Sequence, residues 1–230
     1  TIASVSASSG SSVTVTVSGI SGNGTLKLNL KASTNISDTA GNSGPAAYTS
    51  GTTHTVAIPT APDAPTIGAA TAGDGQASVA FTAPANNGGS AITGYTVTSN
   101  LGGITAGGNG FTTSPITVTG LTNGDAYTFT VTATNAIGTS AASGPSNSVT
   151  PKGNQTITFP DPGARNFGTT PNLSSTASAT SSLAPTFTSF TTGVCTITSG
   201  GALTFVTAGS CTIAADQAGN SVWNAAPTVT

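Results

Sequence analysis

The sequence predicts an all-β chain of β-sandwiches in series, and three observations carry that expectation. First, apolar and hydroxyl residues alternate over long stretches. In "SSVTVTVSGI" (11–20), Val13, Val15 and Val17 share one face and Ser12, Thr14 and Thr16 the other, the period of a half-buried strand. Second, clusters such as "NNGGS" and "TNGD" punctuate the alternation at regular intervals, and Gly, Asn, Asp and Ser are turn formers. Third, the residues that build long helices are scarce: Glu is absent and only 4% of the chain is charged, whereas straight-chain residues carry helix propensity.

The same composition excludes several function classes. The 230 residues carry a net charge of −2 with four basic side chains. Nucleic-acid binding rests on Lys and Arg neutralising phosphates, so no nucleic acid is expected as a partner. No apolar run approaches the roughly 20 residues of a membrane-spanning helix, and no membrane insertion is expected. The opening "TIASVSASSG" has no charged n-region and no apolar core, so it does not read as a signal peptide.

Taken in order, strands are expected at 11–20, at "GTLKLNLK" (24–31) with Leu26, Leu28 and Leu30 inward, and at "HTVAIP" (54–59). "SDTAGNSGPAA" (37–47) is loop chemistry. Three strands in sixty residues fall short of the seven or so of a sandwich, so residues 1–60 read as a partial domain. "PTAPDAP" (59–65) is a Pro-rich, extended linker. A second domain, 61–152, has strands at 76–81, 92–99, 114–120, 125–135 and 146–150. A third, 153–230, contains "VCTIT" (194–198), "ALTFV" (202–206) and "CTIAA" (211–215).

Residues 62–151 resemble a fibronectin type III domain of the bacterial kind, through "PDAPTIGAAT", "ASVAFTAPANNGGSAITGYTVTS" and "LTNGDAYTFTVTATNAIGTSAAS". The resemblance implies a core in which Phe81 replaces the usual strand-B Trp and Tyr95 supplies the strand-C aromatic. It also implies that Leu121 and Tyr127 form the corner whose tyrosine hydroxyl bonds back to the upstream backbone. The flanking segments resemble immunoglobulin-like repeats of large secreted bacterial adhesins. In the third domain that resemblance implies a last strand beyond residue 230. Trp223 is expected in a core.

Cys195 and Cys211 are the only cysteines. Cys195 shares parity with Ile197, and Cys211 with Ile213, so both point into one core, on strands separated by one intervening strand. An even count without a CxxC or a nearby His favours a bridge over a metal site. The alternative is two buried thiols, since Cys is often simply core. A disulfide would place the chain in an oxidising, extracellular compartment.

No catalytic constellation emerges. His54 is the only histidine and has no identifiable partner. The six aspartates, Asp38, Asp63, Asp74, Asp125, Asp161 and Asp216, lie singly in turns or linkers, where Asp is a turn former. Calcium is the sharper alternative for Asp38 with Asn42, or for Asp63, but it wants several carboxylates among 6–8 oxygens, and that density is missing. Lys27 and Lys31 lack the acid that an isopeptide crosslink would need. No enzyme, cofactor or resident metal is expected.

The expected role is therefore the structural repeat region, or stalk, of a large extracellular bacterial surface protein. Its partners would be neighbouring domains of the same long chain or other copies, with any cell-surface or glycan ligand outside this region. One alternative is a subunit of an extracellular filament or sheath joined by strand complementation at open edges. A second is a set of spacer modules from a secreted polysaccharide-degrading enzyme.

Overall fold

The computed structural model describes residues 58–230 in full and, before them, the backbone of four strands: β1 (Ile2–Ala7), β2 (Val13–Val17), β3 (Gly24–Lys27) and β4 (Thr53–Val56). β1 pairs antiparallel with β2, and β3 with β4. The last three fall within the expected alternating stretches. β1, "IASVSA", was not among the expected strands. Asp38, Asn42 and Lys31 lie outside the described residues, as do Leu28 and Leu30 and the side chains of Leu26, Lys27 and His54. Every element among the described residues is a strand.

The second domain is a sandwich of two three-stranded sheets. One orders β5 (Thr66–Ala72), β6 (Gln76–Thr82) and β9 (Ile116–Thr119) as β5-β6-β9. The other orders β7 (Ile92–Ser99), β8 (Thr105–Asn109) and β10 (Phe129–Asn135) as β10-β7-β8. Alternation decides the faces. Ala77, Val79 and Phe81 of β6 are buried, as are Phe129, Val131 and Ala133 of β10. They meet Tyr95, Val97, Ile116, Val118, Leu121 and Tyr127 in one core. Phe81 and Tyr95 pack with ring centroids 4.7 Å apart, so the smaller Phe81 keeps its aromatic neighbour.

Beyond β10 the chain returns along its edge without regular pairing. Ser140, Ser143 and Ser146 donate their N–H groups to the carbonyls of Ala133, Val131 and Phe129. Their hydroxyls accept the N–H groups of the same three residues at 3.0 Å. Serine at every third position thus closes an edge that would otherwise expose unpaired backbone. The pairing of Tyr127 with Val149 completes it.

The third domain is built from shorter pieces: β11 (Ile157–Thr158) with β12 (Ser178–Ala179), β13 (Thr186–Ser189) with β16 (Ile213–Asp216), and β14 (Cys195–Ile197) with β15 (Leu203–Phe205). Its core holds Ile157, Leu173, Phe187, Cys195, Leu203, Ile213 and Ala215. Phe159 meets Phe187 edge-on at 5.6 Å. Thr196, Thr204 and Thr212 are exposed, the outward face that alternation gives them. The sulfurs of Cys195 and Cys211 are bonded, with Cα atoms 5.8 Å apart. The bridge joins β14, paired with β15, to the segment entering β16, which pairs with β13, so it crosses between sheets.

Trp223 departs from expectation. It belongs to neither core. It is half-buried, and its ring lies close beside Gly153 at the boundary between the two domains. The reason is local: Asn220 accepts the N–H groups of both Val222 and Trp223. That fixes the turn and carries the ring toward the linker instead of the interior.

Candidate functional site: the domain junction and a groove in the third domain

The fibronectin-like domain is tied down at both poles. At the first, the Pro-rich linker is strapped to the domain: Thr60 N–H donates to Gly88 O, and Asp63 N–H to Asn86 O. Asn135, 4% exposed, is the hub. Its amide donates to Thr60 O at 2.7 Å and to Asn87 O at 2.9 Å. Its carbonyl accepts from the N–H groups of Ile137 and Gly138. One side chain thereby holds the linker and two loops. Asp63 is exposed, and among the described residues no three His, Cys, Asp or Glu side chains converge.

Near the second pole Leu121 and Tyr127 are buried, and the Tyr127 hydroxyl accepts the N–H of Thr122 at 3.0 Å. Tyr127→Phe leaves that donor without its partner. It is expected to lower the stability of this domain by about 1 kcal/mol, readable as a shift in its urea midpoint with unchanged slope.

Residues 151–154 join the second and third domains, and successive linker groups bond to alternate sides. The Pro151 carbonyl accepts from Gly124 N–H at 2.9 Å, and Lys152 N–H donates to Gly73 O at 3.3 Å, both in the second domain. Gly153 then donates to Val222 O at 2.8 Å and accepts from Asn224 N–H at 2.9 Å, both in the third. Asn154 N–H returns to Asp74 Oδ2 in the second domain at 2.9 Å. The other Asp74 oxygen accepts from the Asn123 amide at 2.9 Å, and Asn123 Oδ1 accepts from Gly75 N–H at 2.9 Å. The Lys152 ammonium donates to the Asn220 carbonyl.

The two glycines here are demanded by close approach. A Cβ on Gly153 would stand 2.7 Å from two ring atoms of Trp223. One on Gly124, at φ +93°, would stand 2.9 Å from Val222 Cγ2.

Asp74 is exposed, yet its carboxyl is held below the usual carboxylate range, first by the Asn154 N–H and then by the Asn123 amide. A lowered folded-state value means that the carboxylate's bonds are fully present above the ordinary Asp value and are lost as pH falls through the lower, folded one. The Asn154 amide resonance is therefore expected to move only below the ordinary Asp titration range. A shift centred at or above that range would contradict the bonding described.

The second feature is a groove in the third domain. Ala215 exchanges both backbone bonds with Val229, at 2.8 and 3.1 Å, so the C-terminal residues begin a strand beside β16. In an antiparallel ladder residues two apart present their N–H and C=O to the same side. Ile213 therefore points its backbone groups to the side Val229 occupies. A groove of about 510 Å³ lies there, lined by Phe159, Leu173, Leu203, Phe205, Ile213 and Thr230.

Among the site residues, sequence reasoning located the cysteines and the tyrosine corner. It missed Asp74, Asn123, Asn154 and the role of Trp223. The "TNGD" turn marks Asn123 as a turn residue, but nothing local signals a partner so distant in the chain.

Comparison with known proteins agrees with this geometry. Residues 61–149 match the family model of the fibronectin type III domain. No curated protein matches the chain. Among solved structures, domains A168–A170 of titin align at 28% identity, covering 44% of this chain and 37% of that one, with a TM-score of 0.37. The FN1–FN3 domains of chicken CNTN1 align at 24% identity, covering 44% and 36%, with a TM-score of 0.36. This chain thus spans little more than a third of either structure. With the two three-stranded sheets, the Phe81–Tyr95 core and the Tyr127 corner in place, residues 61–149 are a fibronectin type III domain, a generally non-catalytic structural module.

Proposed function

We propose that the chain is a non-catalytic spacer: a stalk segment of a large extracellular bacterial surface protein, holding a distal module away from its point of attachment. The observation that carries this reading is the serial construction of two domains with separate cores, joined end to end by a linker bonded to both. The disulfide supports an oxidising compartment. The bacterial surface setting rests on the resemblance of the flanking segments to adhesin repeats.

Negative-stain electron microscopy of native material tests it. Strings of beads are expected, and hydrolase activity in the isolated 230 residues would overturn it. A second reading is a filament subunit joined to neighbouring copies by strand complementation, with the groove beside Ile213 as its candidate seat. Fibres with a fixed axial repeat would decide for that reading.

A further inference from the structure

We infer that residues 151–154 are a clamp and not a hinge: they hold the fibronectin domain and the third domain as one rigid body, locked by the Asp74–Asn123–Asn154 bonds on one side and by Trp223 over Gly153 on the other. A short linker between sandwiches is ordinarily a joint, because a few free torsions suffice for large rotations and such interfaces are small. Here every residue of the linker is bonded to one domain or the other. Pro151 has a fixed φ, and its carbonyl is bonded to the second domain. Both backbone groups of Gly153 are bonded to the third, and the N–H groups of Lys152 and Asn154 return to the second. Turning the third domain against the second at Lys152 therefore breaks the return bond from Asn154 N–H to Asp74.

The domains also touch directly. Gly124 of the second packs against Val222 of the third, and the loop carrying Val222 is held by Asn220 and by the Lys152 ammonium. Asp74 is the centre of the lock. Its two oxygens take one donor from a loop of its own domain and one from the linker, so it ties the linker's exit to the turn at Asn123–Gly124. That turn in turn bonds Pro151 O at the linker's start.

This inference goes beyond the spacer reading and does not depend on it, since a spacer can be jointed. If it holds, the angle between neighbouring sandwiches is set by side-chain chemistry at 74, 123, 153 and 223, and a string of such pairs has a defined pitch.

Backbone residual dipolar couplings on the full 230-residue chain test it. Couplings from 61–149 and from 155–230 are expected to fit one alignment tensor of a single magnitude. Asn123→Asp removes the donor to Asp74 and sets two carboxylates against each other, so the common tensor is expected to split into two of unequal magnitude while core amide shifts in both domains stay unchanged. The exchanged double variant, Asp74→Asn with Asn123→Asp, restores the pattern. Residue 74 then donates its amide to 123 and accepts from Asn154, and the carboxylate at 123 accepts from Gly75, so the single tensor should return. Unequal tensors in the unaltered chain would overturn the clamp. A single tensor retained in Asn123→Asp, or no recovery in the exchanged variant, would overturn the assignment of the lock to Asp74 and Asn123.

Discussion

Asn135→Ala is expected to destabilise the fibronectin type III domain by about 3 kcal/mol or more, the largest effect of any single polar substitution in it. The side chain makes four hydrogen bonds, two from its amide to Thr60 O and Asn87 O and two to its carbonyl from Ile137 and Gly138 N–H. Alanine removes all four partners at once. Each buried polar group left unmade costs about 1–3 kcal/mol, and the site is nearly closed to water that could substitute. The loss should be local at first. Amide protection should fall at Ile137 and Gly138, the neighbours of the lost carbonyl, before the core of Phe129 and Val131 opens. A urea midpoint within about 0.5 kcal/mol of the parent, the range of an ordinary surface change, would show that Asn135 is not the hub described.

Removing the disulfide should have an effect of similar size in the neighbouring domain. Cys195 and Cys211 close a loop with a sequence separation of 16, and the chain-entropy model assigns about 3 kcal/mol to a loop of this length. The third domain depends on that constraint. Its strands are two to four residues long, and single cores below about 80 residues seldom supply more than about 3–5 kcal/mol. Cys195→Ala with Cys211→Ala, or reduction, is therefore expected to melt residues 155–230 well below residues 61–149, whose transition should stay in place. Two transitions moving together, or neither moving, would contradict two separate cores with one staple.

What the sequence made legible follows from burial on one face. β6, β7, β9 and β10 are half-buried and alternate visibly; so do β14 and β15, where Thr196 and Thr204 face out, whereas β16 buries Ile213, Ala214 and Ala215 in a row. β5 and β8 were missed because "TIGAATA" and "TAGGN" are rich in Ala and Gly, which pack against a neighbour without giving a face contrast. β11, β12 and β13 were missed because two to four residues are too short for a period to declare itself. The tyrosine corner was readable from a resemblance. The junction was not, since Asp74 looks like any turn aspartate and its linker partner is 80 residues away. Trp223 was misplaced for a related reason. A lone Trp suggests a core, and only the Asn220 turn shows that it is turned toward Gly153.

Single-molecule extension of the full chain, with and without reductant, tests the central claim most directly. Two independently cored domains in series should give separate rupture events for 61–149 and 155–230. Reduction should lengthen only the second, by roughly 50 Å, the span of the 16 residues freed at about 3.3–3.6 Å each. A single cooperative rupture spanning both domains, or a reductant-dependent gain on the fibronectin event, would contradict an account in which this chain is a string of separately folded β-sandwiches with one disulfide staple, in the third domain.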